Sequence, residues 1–278
     1  MNKKEARLIF KKITNINVKN IEEIYSGFSN QNFIINDAYI LRILRPNRDE
    51  TLLIKNEIEN YKAIENLKIS EKLIYLDENN GIKITKFIHQ THYYSSPLKI
   101  EEIKSVAKNI KKLHKLKTNI NHKYDYLYKL NCYKNRIPSS LYLNKEYEDS
   151  IISKMNQITK NKPLVMSHND LVKGNILFSK NKTYFIDWEY GSLNYEYFDL
   201  ASFISENNLN NKEIDIFLNE YYKAKLNETI KNRISIFIKA LDILFYYWAC
   251  YYYFLRKDSI YKEIANEKKY RITSSLHS

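Results

Sequence analysis

The residues able to do chemistry gather between positions 167 and 190. They read S-H-N-D-L-V-K-G-N-I-L-F and, after a polar turn, Y-F-I-D-W-E-Y. Asp170 is followed five residues later by Asn175, and Asp187 comes twelve residues after that, at the end of a short β-type run. The spacing places two oxygen ligands and one further carboxylate on neighbouring strand ends. Hard cations such as Mg²⁺ take oxygen donors, usually one or two from the protein with substrate phosphates completing the shell. Asp170 is then left to accept a hydroxyl proton. Together these are the parts of a phosphoryl-transfer site.

The elements that must hold those parts follow from pattern. Residues 5–13 have helical spacing and 21–25 a β-type run. S-G-F-S-N-Q-N-F, residues 26–33, then leads into I-I-N-D-A-Y-I-L-R-I-L, with Asn36-Asp37 as a hairpin turn. A strand, a small-residue loop and a second strand would form a lid over phosphates, although in isolation the segment reads as a plain hairpin. Arg42 faces inward from the apolar strand and needs an anion, because an unpaired buried charge is costly. Glu57, near the start of a helix over 53–67, is the expected partner, the alternative being that both are solvated. Residues 72–76 and 81–88 read as strands around D-E-N-N-G, with Asn80-Gly81 a strong turn signal. Helices are expected over 100–116, with Ile103, Val106, Ile110 and Leu113 on one face, and over 141–159. His114 and His168 read as structural, His168 bracing the loop by hydrogen bonds. The chain has four glycines. Gly81 falls in a turn, and Gly27, Gly174 and Gly191 fall in the three loops assigned to phosphate, metal or substrate, where φ > 0 or close backbone approach is expected.

Composition narrows the class. The 278 residues suit one large domain or two lobes sharing a cleft. A net charge of +13, from 45 Lys and Arg against 32 Asp and Glu, would suit nucleic acid, but the basic residues are scattered without a long block. No nucleic-acid partner is expected. Cys132 and Cys250 lie far apart and outside any metal-binding pattern. The N-terminus lacks a signal-peptide apolar core, and the longest apolar run, residues 243–255, is too short to cross a bilayer. The expectation is a cytoplasmic protein without membrane insertion, its oligomeric state open.

H-N-D-L-V-K-G-N-I-L-F, followed by I-D-W-E-Y-G-S-L-N-Y-E-Y-F-D-L-A-S-F-I-S-E, resembles the choline/ethanolamine kinase family, within the wider group that includes aminoglycoside phosphotransferases. The resemblance covers nearly the whole chain and is strongest over 167–206. It implies an α+β, protein-kinase-like, two-lobed fold, with a small antiparallel-sheet N-lobe (1–88) and a larger, mainly helical C-lobe (89–278). It implies Asp170 as catalytic base and Asn175 and Asp187 as Mg²⁺ ligands. Ser29 and Asn30 match the phosphate loop, Arg42 the residue that touches nucleotide phosphates, and Glu57 its helix partner. The backbone at Lys86, Phe87 and Ile88 is expected to meet the adenine of ATP. Glu189 and Tyr190 follow Asp187 as in the family's D-F-E-Y, with Trp188 in place of Phe.

The implied reaction is ATP-dependent phosphorylation of the hydroxyl of choline. A quaternary ammonium has no N–H to donate, so its recognition must use aromatic faces and a carboxylate. The residues on offer are Tyr190, Tyr195, Tyr197, Glu206, Trp248 and Tyr251. Tyr251 replaces the second Trp of the family's W-x-x-W. Against the cage stands a plain core face of Leu241, Phe245, Trp248 and Tyr252, since 25 tyrosines make aromatic stripes common. The alternatives kept open are an ethanolamine kinase, an aminoglycoside or thiamine phosphotransferase, and a non-catalytic nucleotide-binding relative.

Overall fold

A computed structural model describes residues 2–24, 30–46, 49–93, 97–180 and 182–274. The N-terminal part is a five-stranded antiparallel sheet of order β1-β2-β3-β5-β4, made of β1 Ile21–Ile24, β2 Asn30–Ile35, β3 Tyr39–Leu44, β4 Leu73–Leu76 and β5 Lys83–Lys86. Helix α1, Lys3–Thr14, opens on a capping box of Asn2 and Glu5 and buries Ala6 and Phe10. These side chains join Phe33, Ile35, Leu41 and Ile84 in a separate small core. The β2–β3 turn uses Asn36 and Asp37, both at positive φ, where Asn and Asp are tolerated best. Gly81 turns the chain into β5 at φ 69°. Antiparallel register sets Arg42 directly opposite Lys83. Helix α2, Ile54–Ile64, buries Glu57 and Asn60 as well as Tyr61 and Ile64.

Helices dominate the remainder. After the two-residue β6, His92–Tyr93, come α3 Ile100–His114, α4 Tyr126–Lys134 and α5 Lys145–Thr159. Two small sheets follow: β7 Val165–Ser167 pairs with β10 Ser192–Asn194, and β8 Ile176–Phe178 lies between β6 and β9 Thr183–Phe185. Then come α6 Glu196–Glu206, α7 Asn211–Tyr222, α8 Glu228–Arg256 and α9 Ser259–Ser274. The expected face of α3 is buried through Ile103, Val106, Ile110 and Leu113. The larger core runs from Tyr61 and Ile64 of α2 through α3, α6 and α8.

Three differences from expectation have physical causes. The helix expected over 141–159 starts at Lys145 because Asn144 caps it, its side chain accepting from the Tyr147 amide. Helix α4 has a weak amphipathic pattern, so periodicity does not reveal it; Asp125 caps its start. Helix α8 extends 29 residues, well beyond the apolar run, and by length and composition it could cross a bilayer. It packs instead against α4, α5, α6 and α9, burying Ile234, Phe237, Leu241, Leu244 and Tyr247.

Candidate active site

The loop bearing Asp170 is held from beneath by buried Asp199 of α6. Its carboxylate accepts from the His168 amide at 2.9 Å and the Asn169 amide at 2.7 Å, and lies 3.1 Å from His114 Nε2. His168 Nε2 donates to the Ile186 carbonyl at 3.0 Å, and its Nδ1 accepts from the Asp170 amide at 3.3 Å. That pattern requires a neutral ring, and burial pulls the His168 pKa below its usual value. His168 is therefore a brace, as expected, joining the Asp170 loop to the chain entering Asp187. Asn169 and Asp187 both adopt positive φ, 65° and 64°. Such backbone is held only where the surroundings over-determine it, and it clusters at functional sites.

Asp170, Asn175 and Asp187 line one cavity of about 480 Å³. Asn175 Nδ2 donates to the Asp170 carbonyl at 2.9 Å and to Asp170 Oδ2 at 2.8 Å, which leaves the Asn175 side-chain oxygen to accept or ligate. Burial, reinforced by the charges of Asp187 and Glu206, raises the Asp170 pKa to about 7. Burial, together with Asp187, raises Glu189 to about 8. The donor set suits a hard cation, since Asn175 and Asp187 can each offer a side-chain oxygen to the cavity. A site with two protein oxygens leaves the rest of the shell to phosphates.

Arg42 does pair with Glu57, through two hydrogen bonds of 2.8 and 2.6 Å. It also reaches Asp187 at 3.0 Å and Glu189 at 3.8 Å, while its Nε, fully buried, has no partner among the described residues. Sequence reasoning missed Lys83. Its Nζ lies 2.7 Å from Glu57 Oε1, 3.5 Å from Asp187 Oδ1 and 3.1 Å from the Tyr61 hydroxyl. Two cations directly opposite each other across a ladder repel, and Glu57 between them removes the repulsion. Burial works to raise the Glu57 pKa, but Arg42 and Lys83 outweigh it and hold the carboxyl at about 2. The signal for Lys83 was tertiary: only the β3–β5 register places it beside Arg42.

Asn30 lines the cavity, with a buried Oδ1 that has no partner among the described residues. Ser29 and Gly27 lie outside the described residues. At the linker, two backbone amides are engaged within the fold. The amide of Lys86 donates to the Lys72 carbonyl and that of Phe87 to the Ala38 carbonyl, both at 2.9 Å. The fold has used those donors, and the Ile88 carbonyl accepts from the Thr91 hydroxyl at 3.2 Å. The glycine expectation divides. A Cβ on Gly191 would sit 2.7 Å from Asn60 Nδ2, so close approach is real there, whereas Gly174 has open space around it and no positive φ.

The aromatic wall differs in membership from the expected one. Tyr190, Glu206 and Trp248 line the cavity, but Tyr195, Tyr197 and Tyr251 do not. Tyr195 and Tyr197 pack into the large core, Tyr197 against Phe237. Tyr251 stacks on Tyr133, off the pocket face. Tyr124, Tyr133 and Phe245 take their places. Of the proposed core face, Leu241 and Tyr252 are buried while Phe245 and Trp248 border the cavity, so that stripe serves both purposes. Tyr133 and Tyr190 are held from behind: both hydroxyls donate to Asp49 Oδ2, at 2.5 and 3.1 Å. Asp49 stands before α2, and nothing in its local sequence announces a link to α4.

Comparison with known proteins places the chain in a family. A family model described as choline/ethanolamine kinase matches residues 21–243. The LicA protein of Haemophilus influenzae is 28% identical over 232 residues, covering 78% of this chain and 67% of that protein. Two solved structures share the fold. The choline kinase LicA of Streptococcus pneumoniae has a TM-score of 0.82 at 19% identity, covering 98% of this chain and 99% of that one. A LicA complex with AMP has a TM-score of 0.76 at 19% identity, covering 96% and 97%. The architecture is thus α+β and protein-kinase-like.

Proposed function

We propose that this chain, which belongs to the choline/ethanolamine kinase family, transfers the γ-phosphoryl group of ATP to the hydroxyl of choline. That it is a kinase-like phosphotransferase acting on an alcohol follows from the family; the choice of alcohol and the residue roles are our own reading. The observation that carries it is the meeting, in one cavity, of Asp170, Asn175 and Asp187 with an aromatic wall and the Glu206 carboxylate. We divide the lobes at residue 88, with the nucleotide between them, its adenine near Ile88 and its phosphates towards Asn30 and Arg42. The relative solved with AMP supports nucleotide binding.

Asp170 takes the proton of the substrate hydroxyl. Its raised pKa keeps it basic enough to do so near neutral pH. Asn175 and Asp187 would hold Mg²⁺, which when bound neutralises charge on the transferring phosphoryl group. Arg42, fixed by Glu57, holds the phosphates in line, and positioning of this kind supplies much of the acceleration. Tyr190, Trp248 and Phe245 present faces to the quaternary ammonium, each contact contributing about 0.5–2 kcal/mol. The similar protein from Streptococcus pneumoniae is a choline kinase, which agrees with this choice. With ATP as donor, the cytoplasm is the proposed compartment.

An ADP-release assay with choline, ethanolamine, thiamine and kanamycin tests the proposal. We expect choline to give the highest kcat/KM. A preference for ethanolamine would reassign the substrate within the family, and a preference for kanamycin or thiamine would refute the ammonium cage. No turnover with any of the four, alongside retained ATP binding, would favour a non-catalytic relative.

A further inference from the structure

One charged side chain of the cavity has no part in the reaction proposed above. Lys268 of α9 lines the cavity. Its Nζ stands 2.6 Å from Glu206 Oε1, 3.2 Å from Asp242 Oδ1 and 5.5 Å from the centre of the Phe245 ring. The side chain is only 4% exposed. An ammonium belonging to the protein therefore already sits against the carboxylate and beside an aromatic ring that a substrate ammonium would use.

We propose that Lys268 is an internal competitor for Glu206, and that it sets how strongly the site discriminates for positive charge on its substrate. This rests on the reading of Glu206 as the carboxylate that faces the substrate ammonium. The groups packed around Lys268 support it. Glu206 of α6 and Asp242 of α8 hold its ammonium, and Asp242 is shared with Arg271 of α9 at 3.3 Å. Two carboxylates face two cations, so the cluster is formally neutral and a substrate ammonium gains Glu206 only in competition with Lys268. Asp242 offers Lys268 a second anchor. Glu206 can turn towards an entering ammonium while Lys268 stays paired, so the buried charge is never stranded. Lys268 weakens, without abolishing, the advantage of a charged substrate.

The experiment compares kcat/KM for choline with that for 3,3-dimethylbutan-1-ol, the neutral carbon isostere, in the wild type, Lys268→Met and Lys268→Arg. We expect the preference for choline to rise about tenfold in Lys268→Met, equivalent to about 1.4 kcal/mol, and to stay near wild type in Lys268→Arg. In a Glu206→Gln background, Lys268→Met should change the preference no further. An unmoved preference in Lys268→Met, with choline still turned over, overturns the role of Lys268 and leaves the function intact. A wild type inactive on both choline and ethanolamine overturns the function instead. Should Lys268→Met fail to fold, competition binding on the wild type decides. A choline-to-isostere Kd ratio below about thirtyfold supports the competitor, and any larger ratio, as expected of an unopposed buried pair, refutes it.

Discussion

Asp170 and Glu57 show how residues of similar chemistry are driven apart by their surroundings. Both are carboxylic acids in a dry setting. Glu57 is clamped by two cations and held at about 2, while Asp170, buried and facing Asp187 and Glu206, rises to about 7 against the lowering effect of the Asn175 hydrogen bond. An acid kept ionised orients Arg42, and one poised near neutrality can accept a proton. Asp170→Asn should lower kcat by about 10²- to 10⁴-fold, the usual contribution of a general base. ATP affinity measured by calorimetry should stay within about threefold, since the metal and phosphate ligands remain. In the wild type, kcat/KM should fall as pH drops below about 7, because the protonated carboxyl cannot take the hydroxyl proton. A flat profile from pH 6 to 8 would remove Asp170 from the role of base (a rise of about tenfold per pH unit on the acid limb is the alternative).

Between elements, the geometry depends on a few polar contacts. Asn60 of α2 donates to the carbonyls of Trp188 and Gly191, at 3.0 and 2.7 Å, so the helix carrying Glu57 is tied to the segment that follows Asp187. A methyl group on Gly191 would collide with that amide. Gly191→Ala should therefore cost about 1–3 kcal/mol in chemical denaturation, the range for overpacking a tight site, and should raise the KM for ATP. A stability change below about 0.5 kcal/mol, the surface-site range, would show that the contact yields freely. Asp199 serves the catalytic loop in the same way. Asp199→Asn replaces one of two carboxylate oxygens, each of which accepts one loop N–H (His168 at Oδ2, Asn169 at Oδ1), and should reduce turnover without any contact to substrate. Restoration of activity by nearby substitutions that leave the loop amides unpaired would argue against this anchoring.

At the scale of the molecule, the same carboxylates couple stability to pH. Asp170 and Glu189 have folded pKa values of about 7 and 8, against ordinary values of 3.8 and 4.5. The folded chain thus holds more protons than the unfolded chain across that interval, and stability falls as pH rises through it. His168 acts in the opposite sense, but only below its ordinary 6.5. The melting temperature of the metal- and nucleotide-free protein should therefore decline between pH 6.5 and 8. Asp170→Asn/Glu189→Gln should flatten the decline, and MgATP, whose binding favours the ionised site, should stabilise more at the alkaline end. A rising or level melting curve in the free protein would contradict these environments.

The chain's local chemistry was enough to point to phosphoryl transfer. Asp170, Asn175 and Asp187 are close in sequence, their spacing on a loop and hairpin is short, and turn-forming residues such as Asn36-Asp37 and Asn80-Gly81 mark the strands on either side. These are local properties, and periodicity and turn chemistry carry them. Tertiary structure alone decided the rest. Lys83 stands beside Arg42 through strand register; Asp49 braces Tyr133 and Tyr190 across the fold; and Tyr124, Tyr133 and Lys268 enter the cavity while Tyr195, Tyr197 and Tyr251 do not. Which face of a tyrosine-rich helix meets substrate depends on where its neighbours pack, and a single turn of α8 separates Trp248 at the cavity from the core around Tyr252. Long-range packing makes that choice, and no spacing along the chain encodes it.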